Sequence, residues 1–386
     1  MLRRSLLLAI AAGLIPATVC SAAAASAAPT VPATRGPARV VAAHLATTTV
    51  HGYLSAVAAS SASKAWAVGD FTSGSTYYPL TMRWTGTAWR KVASPGLAGG
   101  SLTAVAMTSA TNAWAVGTLT SSTTGEPQSL ILHWNGTAWT QVTSPNPSSS
   151  VSLTGVATAP GGRAWAVGSY STTAKSHTLI LRWNGTAWTR VASPSPGSEP
   201  DLSGVTVLSA RSAWAVGGAC GKTCISFQTL ILKWNGKSWT RVKSPSPGFG
   251  GSYLRGVSAT SSRNAWAVGD IIGCGCGSDG PTILHWNGKS WKSVHAPNPT
   301  GGAALAAVAA ISARSAFAVG GLPTKTFPYR SSFILRWNGK AWKRVASPTL
   351  GRKRYSNLND LAVVSARFGL AVGGTLSLRW NGRAWK

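Results

Sequence analysis

Acidic residues are almost missing from this sequence. Seven Asp and Glu stand against 36 Lys and Arg in 386 residues, for a formal charge of +29. At most seven bases can meet a carboxylate, so ion-pair networks cannot hold the fold together. Charged residues of both signs make up 11% of the chain, against about 25% in ordinary domains. The same scarcity argues against acid–base catalysis. Glycoside hydrolysis usually needs two placed carboxylates, and the one short-range pair is Glu199-Pro200-Asp201. His44, His51, His133, His177, His285 and His295 are scattered without ligand spacing, and no nucleophile elbow occurs. No metal and no cofactor is therefore expected. A site assembled from distant loops would leave no local motif, so an enzyme stays open as the alternative.

Long apolar runs are also absent after the first 28 residues, so no transmembrane segment is expected, since one needs about 20 apolar residues. The start of the chain reads as an address. Arg3 and Arg4 precede an apolar stretch from Leu6 to Val19, broken by Pro16. Ala25-Ser26-Ala27 then supplies small residues for cleavage before Ala28. Residues 1–27 are thus expected to be a secretory signal peptide, with the mature protein extracellular. Residues 28–50, rich in Ala, Thr and Pro, read as a linker.

What the chain has in abundance is tryptophan, 19 against seven Tyr and seven Phe. Ala-Trp-Ala-Val-Gly recurs with its Trp at 66, 114, 165, 214 and 266, and Phe317 and Leu370 fill the slot twice more. Each copy is followed by a Trp-Asn-Gly-x-x-Trp motif. Its first Trp is 84, 134, 183, 234, 286, 337 and 380; its second is 89, 139, 188, 239, 291, 342 and 385. Every Trp therefore belongs to a repeat, and residues 51–386 divide into seven units of about 48 residues. That period suits propeller blades.

Each unit reads as four short strands. In the second, these run near Leu102–Ala106, Ala113–Gly117, Leu130–Trp134 and Ala138–Val142, with Asn135-Gly136 as a tight turn and a long polar loop between strands two and three. In Ala113-Trp114-Ala115-Val116, alternation puts Trp and Val on one face and both Ala on the other. A bulky face can then pack on the small face of the next blade, which assigns the tryptophans to packing rather than to sugar stacking. The fold class is all-β, a seven-bladed propeller of four-stranded blades. The last unit stops at Trp385-Lys386. Residues 38–43, where Arg39-Val40-Val41-Ala42 resembles Arg190-Val191-Ala192, are expected to complete it.

The pattern resembles the kelch-type propellers, the group that includes the galactose oxidase propeller. The likeness rests on an apolar second strand ending in glycine, an aromatic in strand three, Trp opening strand four and a Pro-containing exit. Glycine doubles only at Gly217-Gly218, Gly320-Gly321 and Gly373-Gly374, and the arginine that kelch repeats often carry after the Pro pair is absent. The resemblance implies architecture and no particular activity.

Candidate binding residues fall on the face of the long loops: Asp70, Tyr77, Tyr78, Glu126, Tyr170, His177, Glu199, Asp270, Asp279 and Arg330, with Arg352, Lys353 and Arg354 as the densest basic cluster. Asp70 and Asp270 each follow the strand-two glycine, where the plainer reading is a solvated turn or a cap on nearby backbone N–H groups. Cys20 leaves with the signal peptide, and Cys220, Cys224, Cys274 and Cys276 remain in the loops of blades four and five. Cross-blade disulfides are favoured over local pairs, and a four-cysteine zinc site is the alternative. The residue before each strand-three Trp is Arg83, His133, Arg182, Lys233, His285, Arg336 and Arg379, a basic lattice that can lie over Trp rings or reach the rim. The expected function is a secreted, non-catalytic binding or scaffolding module. It adheres to an anionic surface or polysaccharide, or holds a protein partner. The alternative is a secreted hydrolase, lyase or oxidase with a site on the long-loop face. No specific nucleic-acid partner is expected, and the molecule is expected to be a monomer.

Overall fold

A computed structural model describes residues 52–159, 161–221, 226–273, 278–299, 301–323, 330–348 and 356–386. Among these residues there are 27 β-strands and no helix. They form six four-stranded sheets and one of three strands, each antiparallel and in sequence order. A bridge between Trp380 and Trp385, with reciprocal Arg379–Lys386 backbone bonds of 2.7 and 2.9 Å, continues the edge of the seventh sheet. Residues 38–43 lie outside the described residues.

The first strands of the blades are Gly52–Ser61, Gly100–Ser109, Ser150–Ala159, Asp201–Ser209, Ser252–Ser261, Ala304–Ser312 and Asp360–Ser365. Each packs beside the next, and the seventh beside the first, so they line a central channel. Blade seven meets blade one through Leu54 and Gly374, whose backbones exchange bonds of 2.7 and 3.2 Å. The ring therefore closes among the described residues.

Alternation within the strands sets the core. Trp66 and Val68 of blade one face Ala113, Ala115, Leu130 and Leu132 of blade two. Six further clusters repeat this at the other junctions, ending with Leu370 and Val372 of blade seven against Ala65 and Ala67 of blade one. Each small face admits the aromatic of its neighbour. Trp114 sits 4.8 Å from the Trp183 ring and 5.1 Å, edge-on, from Trp188. The same trio recurs as Trp66, Trp134 and Trp139 and as Trp214, Trp286 and Trp291. The tryptophans are thus interblade packing, as their alternation implies.

The glycine that ends each Ala-Val-Gly has a mechanical cause. The register between strands one and two shifts beside the conserved strand-one leucine, as between Leu102 and Ala104. This bulge swings the preceding carbonyl inward. A Cβ on Gly117 would stand 2.0 Å from the Ser101 carbonyl oxygen, which no side chain tolerates.

Two local expectations change. The Asn-Gly turn is a four-residue loop, because Trp134 pairs with Trp139. Asn135 closes it by accepting the Thr137 and Ala138 N–H groups on its side-chain oxygen at 2.9 and 3.0 Å, and Gly136 takes a φ of 102°. The long polar loops are also mostly strand. Strands two and three of blade one run from Lys64–Ser73 to Thr76–Trp84 and are joined by Gly74-Ser75 alone. Their ends are polar because they project beyond the blade core, not because they leave the sheet.

Candidate functional site at the channel mouth

Strand one runs toward the two-residue turns, so its N-terminal end opens on the long-connection face. The residues flanking the strand-one leucine there are Tyr53 and Ser55, Ser101 and Thr103, Ser152 and Thr154, Asp201 and Ser203, Tyr253 and Arg255, Ala304 and Ala306, and Asn357 and Asn359. In the neutral blades they stitch the ring. Thr103 donates its hydroxyl to Leu153 O of the next blade at 2.7 Å, and Thr154 donates to Leu202 O at 2.5 Å. Asn359 Nδ2 does the same to Leu54 O at 2.9 Å and also reaches the Tyr53 hydroxyl at 2.9 Å.

Blades four and five carry charge at these positions. The Tyr253 hydroxyl donates to Asp201 Oδ2 and lies 2.7 Å from Ser203 Oγ. The Tyr253 ring leans over Gly218, where a Cβ would come within 2.4 Å of it. Arg255 Nε donates to Asp270 Oδ1 at 2.6 Å and Nη2 to Oδ2 at 3.3 Å, a bidentate pair. The Arg255 guanidinium also stands 5.3 Å from the Tyr253 ring centre. Asp270 is buried, whereas the Arg255 side chain keeps 47% of its exposure in the channel mouth.

Electrostatics follow from this enclosure. Burial pushes the Asp201 carboxyl up, partly offset by the Tyr253 hydroxyl, the Gly218 N–H and Arg255. Burial and the neighbouring Asp201 charge push the Tyr253 phenol well up. The proton therefore stays on Tyr253, which acts as donor. Both carboxylates are committed to fixed protein partners. The Tyr253 and Ser203 hydroxyls are taken up inside the cluster, and part of the Arg255 side chain stays open at the channel mouth.

A second carboxyl lies at the junction of blades seven and one. Asp360 accepts the Val57 N–H at 2.9 Å and the Leu361 N–H at 2.8 Å. Burial pushes its carboxyl up to about 7.

The residues singled out from sequence lie on separate blades. Asp70 pairs in register with Tyr53 and Pro79 in blade one, and burial pushes its carboxyl up. Tyr77 is exposed, and Tyr78 stacks on Phe71 at 5.6 Å. Tyr170 and His177 pair across blade three and stack at 4.8 Å, while Arg190 donates to the Tyr170 hydroxyl at 2.8 Å. Glu126 is half-buried, and Glu199 and Asp279 are exposed. Asp270 is neither a solvated turn nor a backbone cap, because Arg255 claims it. Arg330 opens strand three of blade six. Among the described residues no hydrogen bond, ion pair or ring contact links the blade-one, blade-three and blade-five groups. Arg352, Lys353, Arg354, Cys224, Cys274 and Cys276 lie outside the described residues. Cys220, buried at the end of strand two of blade four, is disulfide-bonded.

Tyr253 and Arg255 escape a motif search because they flank a bulge in a strand that is neutral in most blades. Aligning the seven repeats on the strand-one leucine finds them, since Arg255 is the one basic residue in these positions. The basic lattice of strand three does lie over rings. Arg182 sits 5.5 Å from Trp165 and 5.9 Å from Trp234, and Lys233 sits 5.1 Å from Trp214. His133 and His285 stack on Trp114 and Trp266 at 4.2 Å.

Among the described residues no three His, Cys, Asp or Glu side chains form a metal-binding group, and no helix is long and apolar enough to cross a membrane. An open cleft of about 400 Å³ beside blade six is lined by Ser331, Ser332, Arg344, Ser347 and Ser356, with no carboxylate or imidazole in its wall.

These features define a seven-bladed β-propeller with one charged cluster at its channel mouth. Among solved structures the chain is similar to YCF48 bound to D1 peptide, at 15% identity and a TM-score of 0.56 over 88% of this chain and 94% of that one. It is similar to a streptogramin B lyase, at 13% identity and a TM-score of 0.58 over 87% and 95%. It is also similar to the GH74 xyloglucanase of Xanthomonas campestris, at 17% identity and a TM-score of 0.61, covering 88% of this chain and 53% of that enzyme. At these identities the likeness is one of fold. No protein-family model and no curated protein matches the sequence.

Proposed function

We propose that this chain is a secreted, non-catalytic propeller that binds or scaffolds, adhering to anionic cell-envelope polymers or polysaccharide. The observation that carries the reading is the rim. The fourth strands form the outer edge and expose Arg90, Lys91, Arg190, Arg241, Lys292, Lys343 and Arg344. With 36 bases against seven acids, most of these cations have no internal use. Edge lysines and arginines also discourage strand pairing between molecules, and a partner of opposite charge satisfies both roles. Export rests on the N-terminal pattern and agrees with a ligand outside the cell. The kelch-type likeness informs blade architecture and assigns no ligand.

Sedimentation with isolated cell envelopes across a salt series tests this reading. Retention that falls steeply with salt supports it. Salt-resistant retention favours a specific protein or lectin site on the long-connection face, and hydrolysis or elimination of a glycan would replace the reading with an enzyme.

A further inference from the structure

The two faces of the ring differ in acidic residues, since the long-connection half holds acids and bases together, such as Asp270 beside Arg255. All seven acids lie on the long-connection half: Asp70 and Asp270 at strand-two ends, Glu126, Glu199 and Asp279 in or beside connections, and Asp201 and Asp360 at strand-one starts. The opposite face is built from the turns between strands one and two and between strands three and four, and it holds none.

That turn face is itself lopsided. Blades four to seven each place two cations there: Arg211 and Lys237, Arg263 and Lys289, Arg314 and Lys340, Arg367 and Arg383. Blades one to three place only Lys64 and Arg163 there, with Thr87, Thr137 and Thr186 at the other turn. All eight side chains in blades four to seven are exposed, and none has a hydrogen-bond or ion-pair partner among the described residues. The arginines are held in place. A Cβ on Gly236 would lie 3.2 Å from Arg211 Cγ, and Gly288, Gly339 and Gly382 abut Arg263, Arg314 and Arg367 in the same way. Each arginine stem rests on the glycine of the neighbouring turn, which leaves its guanidinium to solvent. In blades one and two Ser63 and Thr111 take that seat.

The positive surface then bends over the edge of the same blades, through Arg241, Lys243, Lys292, Lys343 and Arg344 on or after the fourth strands. A planar surface meets either the turn face or the rim. A flexible chain follows both. The cation pairs also recur once per blade over four consecutive blades, which matches a ligand whose charge repeats along its length.

Resting on the adhesion reading above, we propose that the turn face and rim of blades four to seven form a track for a linear acidic polysaccharide. The arginine of each blade takes a carboxylate in its planar fork, and the second cation adds charge. The long-connection face, with the Asp201–Tyr253 cluster, is turned away from the polymer.

The test uses the full chain, polygalacturonate as probe and two variants of equal charge. One is Lys237→Gln/Lys289→Gln/Lys340→Gln. The other removes three exposed cations outside both the track and the rim: Lys64→Gln/Arg163→Gln/Lys175→Gln. All six sites are exposed, so folding is checked simply by matching melting curves. At low salt the first variant is expected to weaken binding by about tenfold or more and the second by less than about threefold. Equal losses would overturn the track while leaving adhesion standing. No binding by the unaltered chain to polygalacturonate or to any other polyanion tried would overturn adhesion itself. Turn-face-dependent binding to polyphosphate, duplex DNA or anionic lipid vesicles, without binding to polygalacturonate, would overturn the polysaccharide assignment.

Discussion

The Tyr253 hydroxyl donates to the Asp201 carboxylate across the junction of blades four and five. The bond joins two blades at the channel mouth and holds a desolvated carboxylate in place. Tyr253→Phe leaves that carboxylate without its donor. The expected loss is about 1–3 kcal/mol at pH 7 by denaturant unfolding, since a stranded buried acceptor costs its desolvation. The loss should shrink at acid pH, where Asp201 is protonated. An unchanged midpoint at pH 7 would show that the bond contributes nothing to the ring.

Asp360 gives the junction of blades seven and one a pH dependence. Its folded carboxyl holds a proton up to about 7, above its ordinary 3.8. The folded state therefore binds this proton more tightly than the unfolded chain does. The contribution is most favourable below about pH 4, declines as pH rises to 7, and is flat beyond, for a total on the order of 4 kcal/mol. Asp360→Asn keeps an acceptor for the Val57 N–H and removes the slope. The variant's advantage in melting temperature should be near zero at acid pH and largest above pH 7. A constant difference across that range would contradict the assignment.

Gly117 separates bulge mechanics from general glycine effects. Gly117→Ala drives a Cβ into the Ser101 carbonyl and should cost about 3 kcal/mol or prevent folding. Gly96→Ala, which meets nothing within 4 Å, should stay within about 0.5 kcal/mol of the parent. Similar effects of the two in thermal melts would refute the bulge explanation.

The aromatic slot tolerates size but not emptiness. Trp214→Ala should cost about 3–5 kcal/mol, because the ring fills the gap between blades four and five. Trp214→Leu should cost less, about 1–2 kcal/mol, since Leu370 fills the same slot between blades seven and one. A leucine variant as unstable as the alanine one would mean that the rings act through specific aromatic contacts.

What could be read in advance divides along the radius of the propeller. Trp66, Trp134 and Trp139 meet in one interface, and their counterparts recur at fixed spacing, so blade number and packing direction were visible as composition and period. The alternation of Trp114 and Val116 with Ala113 and Ala115 carried the same information. The channel mouth was not visible, because Asp201 and Arg255 are single charges at positions that the other blades fill with uncharged residues such as Ser55, Thr103 and Asn359. Polar strand ends such as Tyr77 and Tyr78 resembled loop because both faces of an extension beyond the core meet solvent. Asp270 looked like a turn residue because its partner, Arg255, lies 15 residues away on another strand. The lopsided turn face was legible residue by residue, but only the register of the turns puts Arg211 beside Gly236 and groups the cations on one face.

The central claim is that the excess positive charge is there to bind an acidic polymer. The most direct measurement is the affinity of the full chain for polygalacturonate and for a neutral glucan of similar length, each across a salt series. The account predicts tight binding to the acidic polymer at low salt, a steep linear fall of log affinity with log salt, and no measurable binding to the neutral glucan. Equal affinity for the two polymers, or binding indifferent to salt, would contradict it.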